Sequence, residues 1–223
     1  MHALLLDLDD TLLDDRSASA NGFVAFLSAH RHKCAFSDDA EALQAWRDAA
    51  NRHWLRYEQG EISFQEQRRC RVRDFLGEPL SDAAADASFR VYQEAYEASW
   101  RLLPDVSEFL SRTRSIPKVI ITNGDRETQL RKIDATGLRP HVRGVVTPGD
   151  CGHWKPSITI FRAALELLSV RPEDCLMIGD DVRRDIEPAA ALGMRSFHVQ
   201  PGVPGRGLLD AIASAIETGN SIA

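Results

Sequence analysis

The chain has 223 residues, 43% of them hydrophobic and 27% charged, with a formal net charge of −6. That length supports one sizeable core, or a core with a smaller lobe, and the composition is that of an ordinary globular protein. The acidic balance argues against a dedicated nucleic-acid binder, and no apolar run approaches the ~20 residues of a membrane span, so neither partner is expected.

The opening Met1-His2-Ala3 carries no basic segment or cleavage signal,. Cys34, Cys70, Cys151 and Cys175 are scattered without paired spacing, and the seven histidines form no ligand pattern. Reduced thiols and a cytoplasmic location are expected. Leu4-Leu5-Leu6, followed by Asp7-Leu8-Asp9-Asp10-Thr11, reads as a short strand buried on both faces that ends in acidic groups,. Asp7 and Asp9 are two apart, so in extended backbone their side chains leave the same side. Two crowded carboxylates repel one another, and a phosphate ester would add to that repulsion. The stretch is either a buried strand ending in an acidic, solvated turn or an arrangement that calls for a cation, and an oxygen-rich site of the second kind suits Mg²⁺.

From about Ser17 to Trp100 helical periodicity takes over. Phe23, Phe26 and Leu27 fit one apolar stripe. Asp38 or Asp39 caps a helix running to about Tyr57, with Gly60 ending it. Ser63-Phe64-Gln65-Glu66 has the capping-box form and opens a basic helix ending near Gly77. Asp82 precedes a further helix through Phe89, Tyr92, Tyr96 and Trp100. Four helices predict a compact α-helical lobe.

From Leu103-Pro104 onward strand and helix alternate. Val106–Leu110 is predicted helical and Lys118–Ile121 a strand ending at Thr122-Asn123-Gly124. Glu127–Ala135 is a helix stopped by Gly137, and Val142–Val146 is the next strand. Ser157 caps a helix from Ile158 to Leu168, and Cys175–Ile178 is a strand ending at Gly179-Asp180-Asp181. Ile186–Leu192 is a helix stopped by Gly193, Arg195–Val199 the fifth strand, and Leu208–Ile216 a last helix with a frayed tail. This succession predicts a parallel sheet covered on both faces, with the helical lobe inserted after its first strand. The expected boundaries are 1–14 with 103–223 for the α/β domain and 15–102 for the insertion.

Three predicted strands therefore end in polar signatures, and in open parallel sheets the ligand crevice lies outside those carboxyl ends. The series Asp7, Asp9 and Thr11, then Thr122, then Lys155, then Gly179-Asp180 with Asp185, resembles the motif set of the haloacid dehalogenase superfamily of hydrolases. The likeness covers nearly the whole chain, and the helical insertion is similar to that family's cap of the first type. It implies a Rossmann-like three-layer α/β sandwich with a five-stranded parallel sheet, plus an α-helical cap domain.

The resemblance also implies a chemistry, that of the phosphatase subgroup. Asp7 would be the nucleophile that forms an aspartyl-phosphate, and Asp9 the acid that protonates the leaving oxygen and then activates water. Mg²⁺ would be held by Asp7, the backbone carbonyl of Asp9, and Asp180, with Asp181 and Asp185 as further metal or orienting groups. Thr122, Asn123 and Lys155 would bind the phosphate. In the basic helix Arg68 and Arg71 share one face and are candidates for reading the substrate, against a solvated face balanced by Glu66 and Asp74. Trp54 and Tyr57 are candidates to stack a ring or to fill core. Members that displace halide lack an acid two residues after the nucleophile, so Asp9 favours a phosphate ester. Small phosphate esters are the expected substrates, a nucleoside monophosphate or sugar phosphate among them. The chain organisation resembles nucleotidase-like and sialic-acid-phosphatase-like members, and phosphoglycolate and sugar phosphatases share the same motifs. A phosphomutase of the same fold and a non-catalytic binding module are the other readings. Monomer and homodimer are not distinguished.

Overall fold

The computed structural model describes residues 2–217. Residues Arg16–Ser99 form one compact unit, and the described residues on either side form the other. The helical unit holds α1 (Asp15–His30), α2 (Asp39–Glu58), α3 (Phe64–Leu76) and α4 (Asp82–Ala98). Helices α2, α3 and α4 each start with a side-chain cap. Asp38 accepts from the backbone of Ala40 and Glu41, Ser63 from Glu66, and Ser81 from Ala84. The α4 cap is thus Ser81 and not Asp82 outside it, because a hydroxyl reaches the third helical N–H while Asp82 already has helical backbone. Helix α3 stops at Gly77, whose φ of +64° suits glycine,. Trp46 centres the packing: it is 1% exposed, stacks on Phe26 at 4.5 Å and meets Phe75 edge-on at 5.5 Å.

The second unit is built on one parallel sheet ordered β3-β2-β1-β4-β5, from β1 (Ala3–Leu6), β2 (Lys118–Ile121), β3 (Gly144–Val146), β4 (Cys175–Gly179) and β5 (Arg195–His198). Around it lie α5 (Val106–Arg112), α6 (Arg126–Ala135), the short α7 (Pro148–Cys151), α8 (Ile158–Leu168), α9 (Glu187–Ala191) and α10 (Leu208–Glu217). Leu4, Leu6, Ile120 and Ile178 pack on one face with residues of α5, α6 and α10. Ala3, Leu5, Val119, Ile121 and Met177 pack on the other, with Ile160, Phe161 and Leu165 of α8. The period-two alternation explains why the strands read as continuous apolar runs: both faces are covered.

Among the boundaries that differ from expectation, two in the sheet unit have a visible cause. Arg139–His141 is a 3-10 turn containing Pro140, so β3 begins only at Gly144. The helix before β5 begins earlier than Ile186, as a π-helical stretch at Val182–Ile186 continuing into α9, where Pro188 lacks the N–H that a regular turn requires,. Where the chain leaves and re-enters this unit, the two passages bond to each other: Leu103 N–H donates to Leu12 O at 2.9 Å and Asp14 N–H to Arg101 O at 3.0 Å. Trp100 and Leu102 accordingly pack with the sheet. All four cysteines are free thiols. Among the described residues no helix is long and apolar enough to cross a membrane. The frayed tail expected after the last helix, residues 218–223, lies outside the described residues.

Strand β1 sits at the centre because the chain builds the sheet outward to β3 on one side, then crosses to β4 and β5 on the other. The crevice of such a fold opens at the carboxyl end of the strand where the order reverses. That end is Asp7.

Candidate active site

Asp7 continues the β1 line, its N–H donating to Ile178 O at 2.9 Å. The chain then folds tightly. Leu8 O accepts from the N–H groups of Leu12 and Leu13 at 2.9 and 3.0 Å, with Asp10 at a left-handed φ of +60° that aspartate tolerates,. The turn carries Thr11 back so that its Oγ1 donates to Asp7 Oδ2 at 3.0 Å. The other oxygen, Oδ1, accepts from Lys155 Nζ at 2.6 Å, and the same ammonium donates to Asp185 Oδ1 at 2.6 Å. All three residues are buried, Asp185 to 1% exposure. Charges so deep are tolerated only when paired and hydrogen-bonded, as these are. Burial pushes the Asp7 carboxyl above its ordinary range; Lys155 pulls it down and Asp185 pushes it further up. For Lys155, burial disfavours the charge, but the two carboxylates outweigh it and hold the ammonium above its usual value.

At the end of β4, Gly179 leaves room for Asp185: a Cβ there would lie 2.3 Å from Asp185 Oδ2. Asp185 Oδ2 also accepts from Asp181 N–H at 3.2 Å. Asp181 itself is a helix cap, its Oδ1 accepting from the N–H groups of Arg183 and Arg184 at 2.8 and 3.0 Å. Asp180 is part-buried, and burial together with the charges of Asp7, Asp185 and Asp10 pushes its carboxyl up to about 7. One carboxylate oxygen from each of Asp7, Asp180 and Asp185 lies within 4.8 Å of the others. Three hard oxygen donors that resist sharing one region as anions fit a divalent cation such as Mg²⁺.

The end of β2 supplies a second cluster. Thr122 Oγ1 accepts from Gly124 N–H at 3.1 Å. The Asn123 side chain clamps the backbone of Lys155, donating to Lys155 O at 2.9 Å and accepting from Lys155 N–H at 2.6 Å. Two α6 residues join from the side. Gln129 Nε2 donates to Thr122 Oγ1 and to Asp9 Oδ2, both at 2.7 Å. Lys132 Nζ donates to Asp9 Oδ1 at 2.6 Å and to Asp15 Oδ1 at 2.8 Å. Burial raises the Asp9 carboxyl against the pull of Lys132, and Asp15 adds to the rise.

Asp7, Asp9, Thr122, Asn123, Lys155, Asp180, Asp181 and Asp185 are thus gathered at the carboxyl ends of β1, β2 and β4, Asp181 by its backbone and as a cap. Arg68 and Arg71 belong to the helical unit and stack on its aromatics. Arg71 lies 3.9 Å over Trp46 and Arg68 4.1 Å over Phe64. The charge of that helix is balanced elsewhere: Arg69 and Arg73 pair with Glu66, Asp82 and Asp86, while Asp74 accepts from Arg52 and His53. Trp54 donates to Glu58 at 2.9 Å and meets Tyr57 and Phe64 edge-on. Gln129 and Lys132 were not singled out from the sequence. The available signal was the stripe Thr128, Gln129, Lys132 and Ile133, a buried helix face that is mostly polar,.

Comparisons with known proteins show the family and the fold of the chain. The chain is 30% identical to a phosphoserine phosphatase of Thermus thermophilus over 227 residues, covering 91% of this chain and 90% of that one. It is 26% identical to the human N-acylneuraminate-9-phosphatase, over 88% of this chain and 81% of the relative. In three dimensions it matches the putative hydrolase YfnB of Bacillus subtilis, solved with magnesium bound, at a TM-score of 0.74 and 22% identity, over 91% and 90% of the two chains. Solved haloacid dehalogenases share the fold as well. Residues 1–193 match the family described as haloacid dehalogenase-like hydrolase, and the chain belongs to that family.

Proposed function

We propose that this hydrolase is a magnesium-dependent phosphatase that cleaves small-molecule phosphate monoesters through an aspartyl-phosphate on Asp7. The observation that carries the reading is the Asp7 carboxylate at the tip of the central strand, bonded to Lys155 and within 4.8 Å of Asp180 and Asp185. Asp7, Asp180 and Asp185 would hold the metal, with the backbone carbonyl of Asp9. Bound there, Mg²⁺ supplies positive charge against the crowded carboxylates and the incoming phosphate.

An oxygen of Asp7 attacks phosphorus, the ester P–O bond breaks, and Asp9 gives its proton to the leaving oxygen. Water then attacks the aspartyl-phosphate, its proton passes to the Asp9 carboxylate, and the P–O bond to Asp7 breaks to release phosphate. The raised Asp9 carboxyl suits an acid that must keep a proton to give,. Thr122 donates its hydroxyl proton to the transferring group, the Asn123 backbone N–H is a second donor, and Lys155 is the fixed cation beside it. The presence of Asp9 favours this reaction over displacement of halide, which needs no proton. In this reading residues 16–99 are the cap, and the chain works in the cytoplasm with its thiols reduced.

The named relatives, a phosphoserine and an N-acylneuraminate-9-phosphate phosphatase, support a phosphorylated small hydroxy compound as substrate. The test is phosphate release from a panel that includes both compounds, sugar phosphates and nucleoside monophosphates, with Mg²⁺ and with chelator. Asp7→Asn keeps the shape and removes the nucleophile, so its release should fall at least about a thousandfold. Full activity in that variant, or none in the wild type on any ester, would defeat the reading and bring forward a phosphomutase or a binding module.

A further inference from the structure

Gln129 and Lys132 are among the most deeply buried polar side chains of the sheet unit, at 1% and 3% exposure. A buried amide costs several kcal/mol unless its groups are bonded, and a buried ammonium more. Neither residue fills core: each extends from α6 to the acid at the end of β1. Gln129 uses both amide protons there, one on Asp9 and one on Thr122. The amide has one workable orientation, since its carbonyl turned toward Asp9 would set acceptor against acceptor. With Lys132 on Oδ1 and Gln129 on Oδ2, both oxygens of Asp9 are held, which fixes the plane of the carboxyl group. Each oxygen keeps a second lone pair for the transferable proton.

The same amide orients Thr122. The hydroxyl oxygen accepts from both Gln129 Nε2 and Gly124 N–H, so its own proton is left to donate away from them,. Gly124 leaves room for this amide. A Cβ at 124 would lie 2.2 Å from Gln129 Nε2 and 2.3 Å from its Cδ.

We propose that Gln129 and Lys132 are positioning residues of the phosphoryl-transfer site, Lys132 for the carboxyl of Asp9, and Gln129 for Asp9 and the Thr122 hydroxyl together. The inference rests on the phosphatase reading above. Misaligning a proton donor by an ångström costs as much as many direct contacts, because the proton must meet the leaving oxygen as the P–O bond breaks.

The test compares two esters with Mg²⁺ present: an alkyl phosphate, whose alkoxide needs a proton to leave, and p-nitrophenyl phosphate, whose phenolate does not. Lys132→Met should lower kcat/KM, which reports the steps up to loss of the alcohol and not the later hydrolysis shared by both esters, about a hundredfold for the alkyl ester and less than about tenfold for the nitrophenyl ester, the pattern also expected of Asp9→Asn. Gln129→Met should lower both, with the larger loss on the alkyl ester. Gly124→Ala, which displaces Gln129 without altering its chemistry, should follow Gln129→Met, and Lys132→Arg should recover part of the alkyl activity. Thermal melting checks that each variant folds, and Gly124→Ala keeps the test open if Lys132→Met does not. Equal losses of kcat/KM on both esters in Lys132→Met would mean a structural role. A gain on the alkyl ester would mean that Lys132 restrains Asp9. Either result overturns the proposal. A wild type inactive on both esters fails the phosphatase reading instead, before any variant is compared.

Discussion

The two ends of the sheet bury the same residue type with opposite results. Lys118 opens β2 at the amino end and is 2% exposed; its Nζ donates to Ile116 O at 2.8 Å and to Thr113 O. Burial among carbonyls, which offer only partial charges, pushes its ammonium down to about 8. Lys155 lies at the carboxyl end between Asp7 and Asp185, and is pushed up although burial opposes it. Desolvation opposes the charge of both lysines, and the full negative charges at one end decide the sign,. A structural lysine and a site lysine therefore differ in their partners, not in their depth.

Removing Lys155 should give the largest effect on this contrast. Lys155→Met leaves Asp7 and Asp185 buried without their cation, so stability should fall by about 3–5 kcal/mol in urea unfolding without metal. Phosphate release should fall with it. A variant as stable as the wild type would show that the two carboxylates do not depend on this charge. Gly179→Ala tests the same end with every charge kept. Its Cβ would stand 2.5 Å from Asp185 Cγ, and a side chain as short as aspartate cannot fold aside. The expected cost is about 1–3 kcal/mol, with a shift in the Lys155 partner geometry visible in a crystal structure of the variant. Unchanged stability and activity would mean that Asp185 has freedom that its contacts deny.

The smallest effect lies at the other end. Folded Lys118 releases its proton near pH 8, whereas the unfolded side chain keeps it to about 10.5. Between those values the unfolded state binds more protons, so this residue makes stability rise with pH. Cys175 works against it: burial pushes the thiol up to about 12 from 9.0, so the folded state keeps a proton that the unfolded state loses, and stability falls with pH across that range. The difference between wild type and Lys118→Met cancels the Cys175 contribution. Urea midpoints measured from pH 7.5 to 10.5 should show the wild type gaining on the variant as pH rises. A flat difference would mean that the carbonyl bonds fully offset the burial.

Much of this was legible in the chain. The leucine run before Asp7, the apolar runs before Thr122 and before Gly179, and the caps at Asp38, Ser63 and Ser157 are local signals, and each element formed where its own residues favour it. The polar strand ends were visible for the same reason: a βα alternation places them on one edge whatever the strand order. Asn123 shows the limit. Its place beside Thr122 could be read, but its side chain clamps Lys155, 32 positions away, and no local pattern announces that bond.

What the sequence by itself determined is the α/β class, the inserted helices and the set of strand-end acids, because hydrophobic period and capping chemistry act within a few residues. Only the tertiary structure decided which side chains hold those acids. Lys155 meets Asp7 across 148 positions, Gln129 and Lys132 meet Asp9 across 120 and 123, and a buried polar residue is told from a surface one only by what the folded chain brings against it,.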